Sequence, residues 1–196
     1  MTPLLLIRHG PTEWNALGRL QGRADIGLSA EGRVEVKSWR LPAAFAEARW
    51  LASPLRRARE TAALLTDRPV ALEPRLIEMD WGAWEGVVGA DLRAAAPAAL
   101  AVNEARGRDF RPPGGESPRE VGARFQSLMV ELAADPAPVV AVTHKGVIRA
   151  ALALATGWDM RTPPPLRLRR TDALALLAHR GGRLELGAAA PLALAA

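Results

Sequence analysis

The chain has 196 residues, no cysteine and a formal net charge of +5, with 49% hydrophobic and 24% charged residues. Its length suits one domain with a buried core, and the absent thiols exclude disulfides, Cys-ligated zinc and thiol nucleophiles. The positive charge does not read as a nucleic-acid surface: apart from Lys37 and Lys145 it is carried by arginines spread along the chain, with no interleaved aromatic residues to stack bases.

Met1-Thr2-Pro3 leads directly into the first strand candidate, near residues 3–8, which leaves no room for a signal peptide. No apolar run approaches the ~18 residues that span a bilayer, so the expectation is a cytoplasmic protein with no membrane partner. A polar loop rich in Gly, Asn and Gln follows through about Gly27. A helix is predicted from after Ser29 to before Pro42, where proline blocks continuation. The strand at 49–52 ends at Ser53-Pro54, which reads as a serine N-cap with proline at the first helical position. That helix runs to about Thr66, and a strand near 70–73 comes next. Residues 76–116 are irregular, with Ala-rich helical pieces broken by Pro97, and read as a lid-like insertion. Ser117-Pro118-Arg119-Glu120 is a capping box, and Val121, Phe125, Leu128 and Leu132 line one face of the helix behind it. A strand at 138–143, a helix over about 146–156 and strands at 172–178 and 183–187 complete a predicted single domain over 1–187. The Ala-rich tail, 188–196, is low in complexity and expected to fray. Alternating strand and helix signals imply an α/β layered architecture.

Two histidines stand just past strand-like runs. Leu4-Leu5-Leu6-Ile7 leads into Arg8-His9-Gly10, and Val139-Val140-Ala141-Val142-Thr143 leads into His144-Lys145-Gly146. A third run, Trp50-Leu51-Ala52, opens onto Ser53-Pro54-Leu55-Arg56-Arg57. Ligand sites of open α/β sheets form at the carboxyl ends of the strands, so two imidazoles and several guanidiniums are expected at one edge. A neutral imidazole attacks phosphorus to form a phosphohistidine, and arginine forks stabilise the charge spread over the transferring group. The pattern therefore points to phosphoryl transfer at His9, with Arg8, Arg57 and His144 around the phosphate and Asn15, Gln21 and Gly22 completing the cradle. Glu78, among apolar neighbours that raise a carboxyl pKa, is the candidate proton donor, with Asp80 as the second choice. His179 reads as a polar surface residue, and Arg56 and Arg59 as solvated helix positions beside Arg57. Trp81, Trp84 and Phe110 flank the expected entrance.

These residues resemble the histidine phosphatase superfamily, also called phosphoglycerate-mutase-like. Arg8-His9-Gly10-Pro11-Thr12-Glu13-Trp14-Asn15 is similar to its opening signature, and Ser53-x-Leu55-x-Arg57-Ala58-x-x-Thr61 to its second block. Leu76-x-Glu78 with Gly82-x-Trp84-Glu85-Gly86 resembles its acid block, Gly114-Gly115-Glu116-Ser117 a loop common in it, and Thr143-His144-x-Gly146 its last block. The resemblance implies a three-layer α/β/α sandwich with a mostly parallel central sheet and a covalent phosphohistidine at His9. It also implies Arg8, Arg57, His144 and Asn15 as phosphate ligands, Glu78 as proton donor, no metal and no cofactor. Many members are dimers, so a homodimer is open. Two positions depart from the pattern: Lys145 stands where many members carry glycine, and Arg170-Thr171-Asp172-Ala173 replaces a segment that usually begins with asparagine.

The mutases of the family are longer and carry a tyrosine just after the acid. This chain has no tyrosine, shows Trp81 there, and keeps the segment between Glu78 and Gly114 short. The expectation is a phosphatase of small phosphorylated metabolites, similar to the broad-specificity and α-ribazole-5'-phosphate phosphatases. The alternative is a mutase interconverting 2- and 3-phosphoglycerate.

Overall fold

A computed structural model describes residues 1–187 and 191–194. Its strands are β1 (Thr2–Arg8), β2 (Arg49–Ala52), β3 (Val70–Leu72), β4 (Val139–Thr143), β5 (Asp172–Ala178), β6 (Leu184–Leu186) and β7 (Leu192–Ala193). They form one sheet in the order β3-β2-β4-β1-β5-β6, with β7 also on β5. β3, β2, β4 and β1 run parallel, and β5 is antiparallel to β1, β6 and β7. Among the described residues β5 is thus the one reversed strand. The helices are α1 (Glu13–Ala16), α2 (Ala30–Ser38), α3 (Arg56–Leu65), α4 (Gly89–Ala95), α5 (Pro97–Glu104), α6 (Pro118–Leu132) and α7 (Lys145–Thr156). None of the described helices is long and apolar enough to cross a membrane.

The alternation of side chains along each strand splits the core into two layers. Leu4, Leu6, Val139, Ala141, Leu174 and Leu176 pack against Phe125, Leu128 and Met129 of α6 and Val147, Ile148 and Leu152 of α7. Leu5, Ile7, Val140, Val142 and Ala173 face the other way, onto Val36 of α2, Ala58 and Ala62 of α3, and the rings of Trp39 and Phe45. The central strands are apolar on both faces because helices cover both, giving the expected three-layer α/β/α sandwich. Ser117 accepts from Glu120 N–H while the Glu120 carboxylate accepts from Ser117 N–H, so α6 starts at the predicted capping box.

Several boundaries differ from expectation. The predicted helix toward Pro42 stops at Ser38, because Trp39 turns extended and buries its ring in the core. Ser53 does not cap α3; Leu55 occupies the N-cap without a side-chain bond, and the Ser53 hydroxyl is drawn to a histidine from another strand. The first loop contains α1, and a bridge between Arg19 and Val88 ties it to the 76–116 segment. That segment carries α4 and α5 between short 3-10 turns at Gly82–Trp84 and Gly107–Asp109. Of the tail expected to fray, Leu192–Ala193 pairs with β5 and Leu194 is buried under Trp39 and its neighbours, because its apolar side chains complete that layer. The remaining tail residues, 188–190 and 195–196, lie outside the described residues.

Candidate active site

Parallel pairing places Arg8 of β1 opposite Thr143 of β4, so the next residues, His9 and His144, leave the sheet side by side. The His9 N–H donates to the Thr143 carbonyl at 3.0 Å, and the two rings lie 5.2 Å apart. β2 ends one strand away, where Ser53 N–H donates to the Val142 carbonyl at 2.9 Å. Three carboxyl-end turns thus meet at one point of the sheet.

His9 is 3% exposed. Its Nδ1 lies 2.7 Å from the Gly10 carbonyl. A carbonyl only accepts, so Nδ1 carries the proton and Nε2 keeps its lone pair. Burial, then Arg57 and Arg8, hold the imidazole well below the ordinary histidine value of 6.5 and keep it neutral. Gly10 is itself fixed, its N–H donating to Thr61 Oγ1 at 2.9 Å while the Thr61 hydroxyl donates to the Arg57 carbonyl at 2.7 Å.

His144 is fully buried, with Nε2 2.7 Å from Ser53 Oγ. Ser53 Oγ also accepts from Leu55 N–H at 3.3 Å, and its hydroxyl proton can be given to His144 Nε2. With that donation the His144 proton sits on Nδ1, which is buried without a partner among the described residues. Burial and the neighbouring Arg57 lower the His144 pKa well below its ordinary value as well.

Arg57 is fully buried on α3 and, among the described residues, no carboxylate is bound to it. Its Nη1 and Nη2 donate to the carbonyls of Ala24 and Gly22 at 2.8 and 2.7 Å, while Nε has no partner. Glu85 holds that loop from behind: its carboxylate accepts from Arg23 N–H at 2.6 Å and Ala24 N–H at 3.1 Å. Gly22 has φ +50°, and a Cβ there would overlap the Glu85 carboxylate. Arg8 also has a buried, unpartnered Nε. Two desolvated guanidiniums with no directly bound carboxylate among the described residues, feeling Glu78 only at a distance, have the chemistry to take an anion.

Glu78 is buried, with Oε1 accepting from Met79 N–H at 2.8 Å and Gly146 N–H at 3.0 Å. Burial raises its pKa above the usual 4.5, opposed by those bonds and by Arg57 and Arg8. Burial thus moves His9 down and Glu78 up, the directions that favour a neutral imidazole and a protonated carboxyl.

The sequence profile of the histidine phosphatase superfamily (branch 1) matches residues 4–189. The chain belongs to this superfamily. Glucosyl-3-phosphoglycerate phosphatase of Mycolicibacterium vanbaalenii is 37% identical, the alignment covering 83% of this chain and 78% of the relative. The enzyme of that name from Mycobacterium tuberculosis is 38% identical over 75% and 72% of the two chains. A mycobacterial glucosyl-3-phosphoglycerate phosphatase solved with VO3 superposes with a TM-score of 0.80 at 32% identity, covering 100% of both chains. The chain is therefore similar to the short phosphatases of the superfamily, and by family it is a phosphoric monoester hydrolase.

The other predicted residues fall around this candidate site unequally. Asn15 Oδ1 is spent on Thr12, whose N–H donates at 3.1 Å, and on Arg170 Nη1 at 3.3 Å, which leaves the amide N–H groups free to donate. Gln21 is buried with an unpartnered Oε1. Gly22 contributes the carbonyl that holds Arg57. Asp80 is turned away, accepting from Gly82 N–H at 2.7 Å and pairing with Arg23 at 3.3 Å, which makes Glu78 the buried carboxyl of the two. Trp81, Trp84 and Phe110 form a partly exposed trio with ring centroids 5.8 to 6.4 Å apart. Arg56 pairs with Glu60 and His179 with Glu185, both away from the centre. Sequence reasoning missed Ser53 as the partner of His144, Thr61 as the anchor of Gly10, Glu85 as the clamp of the loop, and Arg170. Ser53 and Thr61 stood in a recognised motif, but their partners lie 91 and 51 residues away.

Proposed function

We propose that this histidine phosphatase hydrolyses a small phosphomonoester without a metal, through a phosphohistidine on His9 with Glu78 as proton donor. The observation that carries the reading is the fixed tautomer of His9. Its Nδ1–H is committed to Gly10, and its neutral Nε2 faces a site of desolvated arginines. In the first step the Nε2 lone pair bonds to phosphorus as the ester P–O bond breaks, and the departing oxygen takes the Glu78 proton. Arg8, Arg57, the His144 Nδ1–H and the Asn15 amide receive the charge on the equatorial oxygens. In the second step water attacks phosphorus, the P–N bond breaks, and the Glu78 carboxylate takes the water proton. Inorganic phosphate leaves, and both residues return to their starting forms.

The names of the relatives favour glucosyl-3-phosphoglycerate as the substrate to test first. The aromatic trio offers a surface on which the leaving group rests. Phosphate release in EDTA from glucosyl-3-phosphoglycerate, α-ribazole 5'-phosphate, 3-phosphoglycerate and p-nitrophenyl phosphate tests the reading. Release under chelation supports it. Activity that needs an added divalent cation overturns it, and primer-dependent conversion of 3- to 2-phosphoglycerate without release replaces it with the mutase.

A further inference from the structure

No regular element carries Glu78. Residues 77–81 lie between the 3-10 turns at Pro74–Leu76 and Gly82–Trp84, so their place comes from bonds to other parts of the fold. Met79 N–H and Gly146 N–H hold the carboxyl tip. The backbone on either side of the acid is held from α6. Before Glu78, the Arg75 carbonyl accepts from Arg124 Nη1 at 2.5 Å. After it, Asp80 N–H donates to Glu116 Oε2 at 3.4 Å, and the Asp80 carbonyl accepts from Glu116 N–H at 2.9 Å.

These two holds are one unit. Arg124 Nε and Nη2 donate to Glu116 Oε1 and Oε2 at 2.8 and 3.1 Å, a bidentate pair whose side chains are only 17% and 13% exposed. Glu116 directly precedes Ser117, the capped start of α6, and Arg124 stands in the second turn of that helix. Val121 and Phe125 root the same turns in the core, each fully buried. The pair therefore carries the rigidity of α6 to both flanks of the acid. Arg23 adds a looser tie, with its Nη2 3.5 Å from Glu116 Oε2 and its Nη1 3.3 Å from Asp80 Oδ2. Half-exposed contacts of that length hold weakly. A proton donor works only within hydrogen-bond reach of the oxygen it serves, so a segment without its own helix or strand depends on such holds.

We propose that Glu116 and Arg124 are positioning residues for the reaction: together they fix the backbone at Arg75 and Asp80, and so set the Glu78 carboxyl against the departing oxygen. This rests on the phosphatase reading with Glu78 as donor. The test compares kcat/KM for phenyl phosphate and p-nitrophenyl phosphate, which share a ring and differ in how far the departing oxygen needs a proton. Glu116→Ala removes the acceptor of Asp80 N–H and the partner of Arg124. The phenyl to p-nitrophenyl ratio is expected to fall about tenfold. Arg124→Met is expected to lower it by a similar factor. Glu116→Gln keeps an oxygen for Asp80 N–H, and Arg124→Lys keeps the charge, so each is expected to retain part of the ratio. Glu78→Gln, measured alongside, is expected to lower it furthest. Loss of folded enzyme lowers both rates equally and leaves the ratio alone, so a purely structural role does not move it. Where the alanine or methionine variant is not recovered folded, the glutamine and lysine variants supply the reading. A ratio equal to wild type at either position, while it falls in Glu78→Gln, overturns the inference and leaves the phosphatase reading standing. A ratio unmoved in Glu78→Gln, or a wild type that releases phosphate from neither ester, overturns that reading and the inference with it.

Discussion

Gly146→Ala tests how closely the acid is placed. Gly146 is the second residue of α7, where alanine is a better helix former than glycine. A methyl group there would overlap Glu78 Oε1, while standing 3.3 Å from the carboxyl carbon and 3.1 Å from Met79 Cβ. The carboxyl cannot swing aside freely, because Met79 N–H and Gly146 N–H both hold it. Restoring an ordinary van der Waals separation moves it on the order of 1 Å, and a displacement of that size costs roughly 10²-fold in rate. The expected loss is therefore about 10²-fold in kcat/KM for an alkyl phosphate, whose alkoxide must be protonated as it departs. p-Nitrophenyl phosphate departs as a stable phenolate, and kcat/KM reports only the steps through phosphohistidine formation, so its loss is expected to be much smaller. Circular dichroism and a melting curve confirm the fold. Equal losses on both esters, or none on either, would refute the placement of Glu78 as the donor.

Three further outcomes are expected. Ser53→Ala leaves His144 Nε2 without its hydroxyl partner and frees the ring to take the other tautomer; kcat/KM drops about tenfold, and an unchanged value counts against a fixed Nδ1–H donor. With rising pH, Glu78 loses its proton and kcat/KM falls. Burial has raised this pKa above 4.5, so that alkaline limb lies above the ordinary carboxylate range, while the limb for His9 protonation lies below 6.5. Glu78→Gln has low activity and no alkaline limb, and a limb that persists belongs to another group. Gly22→Ala places a side chain at φ +50° against the Glu85 carboxylate; thermal denaturation should show a loss of about 1–3 kcal/mol, and a stability equal to wild type refutes the clamp.

The layers were legible because the central strands are apolar on both faces and the long helix α6 carries a one-sided stripe of Val121, Phe125 and Leu128. The positions of His9 and His144 past two strand ends were legible for the same reason, and parallel pairing of β1 with β4 turns that positional likeness into adjacency. Ser53 shows the limit of local reasoning. Serine before proline satisfies the grammar of a helix start, yet a histidine 91 residues away forms the bond that a cap would have formed. Arg170 was visible as a departure from a family pattern, while its contact with Asn15 spans 155 residues and leaves no local signature. The strand at 192–193 was hidden because two residues carry no periodicity.

The account turns on a covalent intermediate. Rapid quenching of the enzyme with a labelled phosphomonoester in base, where phosphohistidine survives, followed by peptide mapping, examines it directly. One phosphoryl group is predicted on the peptide that contains His9, lost on chase with unlabelled substrate and absent from a folded, inactive His9→Ala variant. Steady turnover with no labelled histidine, or near-native activity in His9→Ala, would contradict the account.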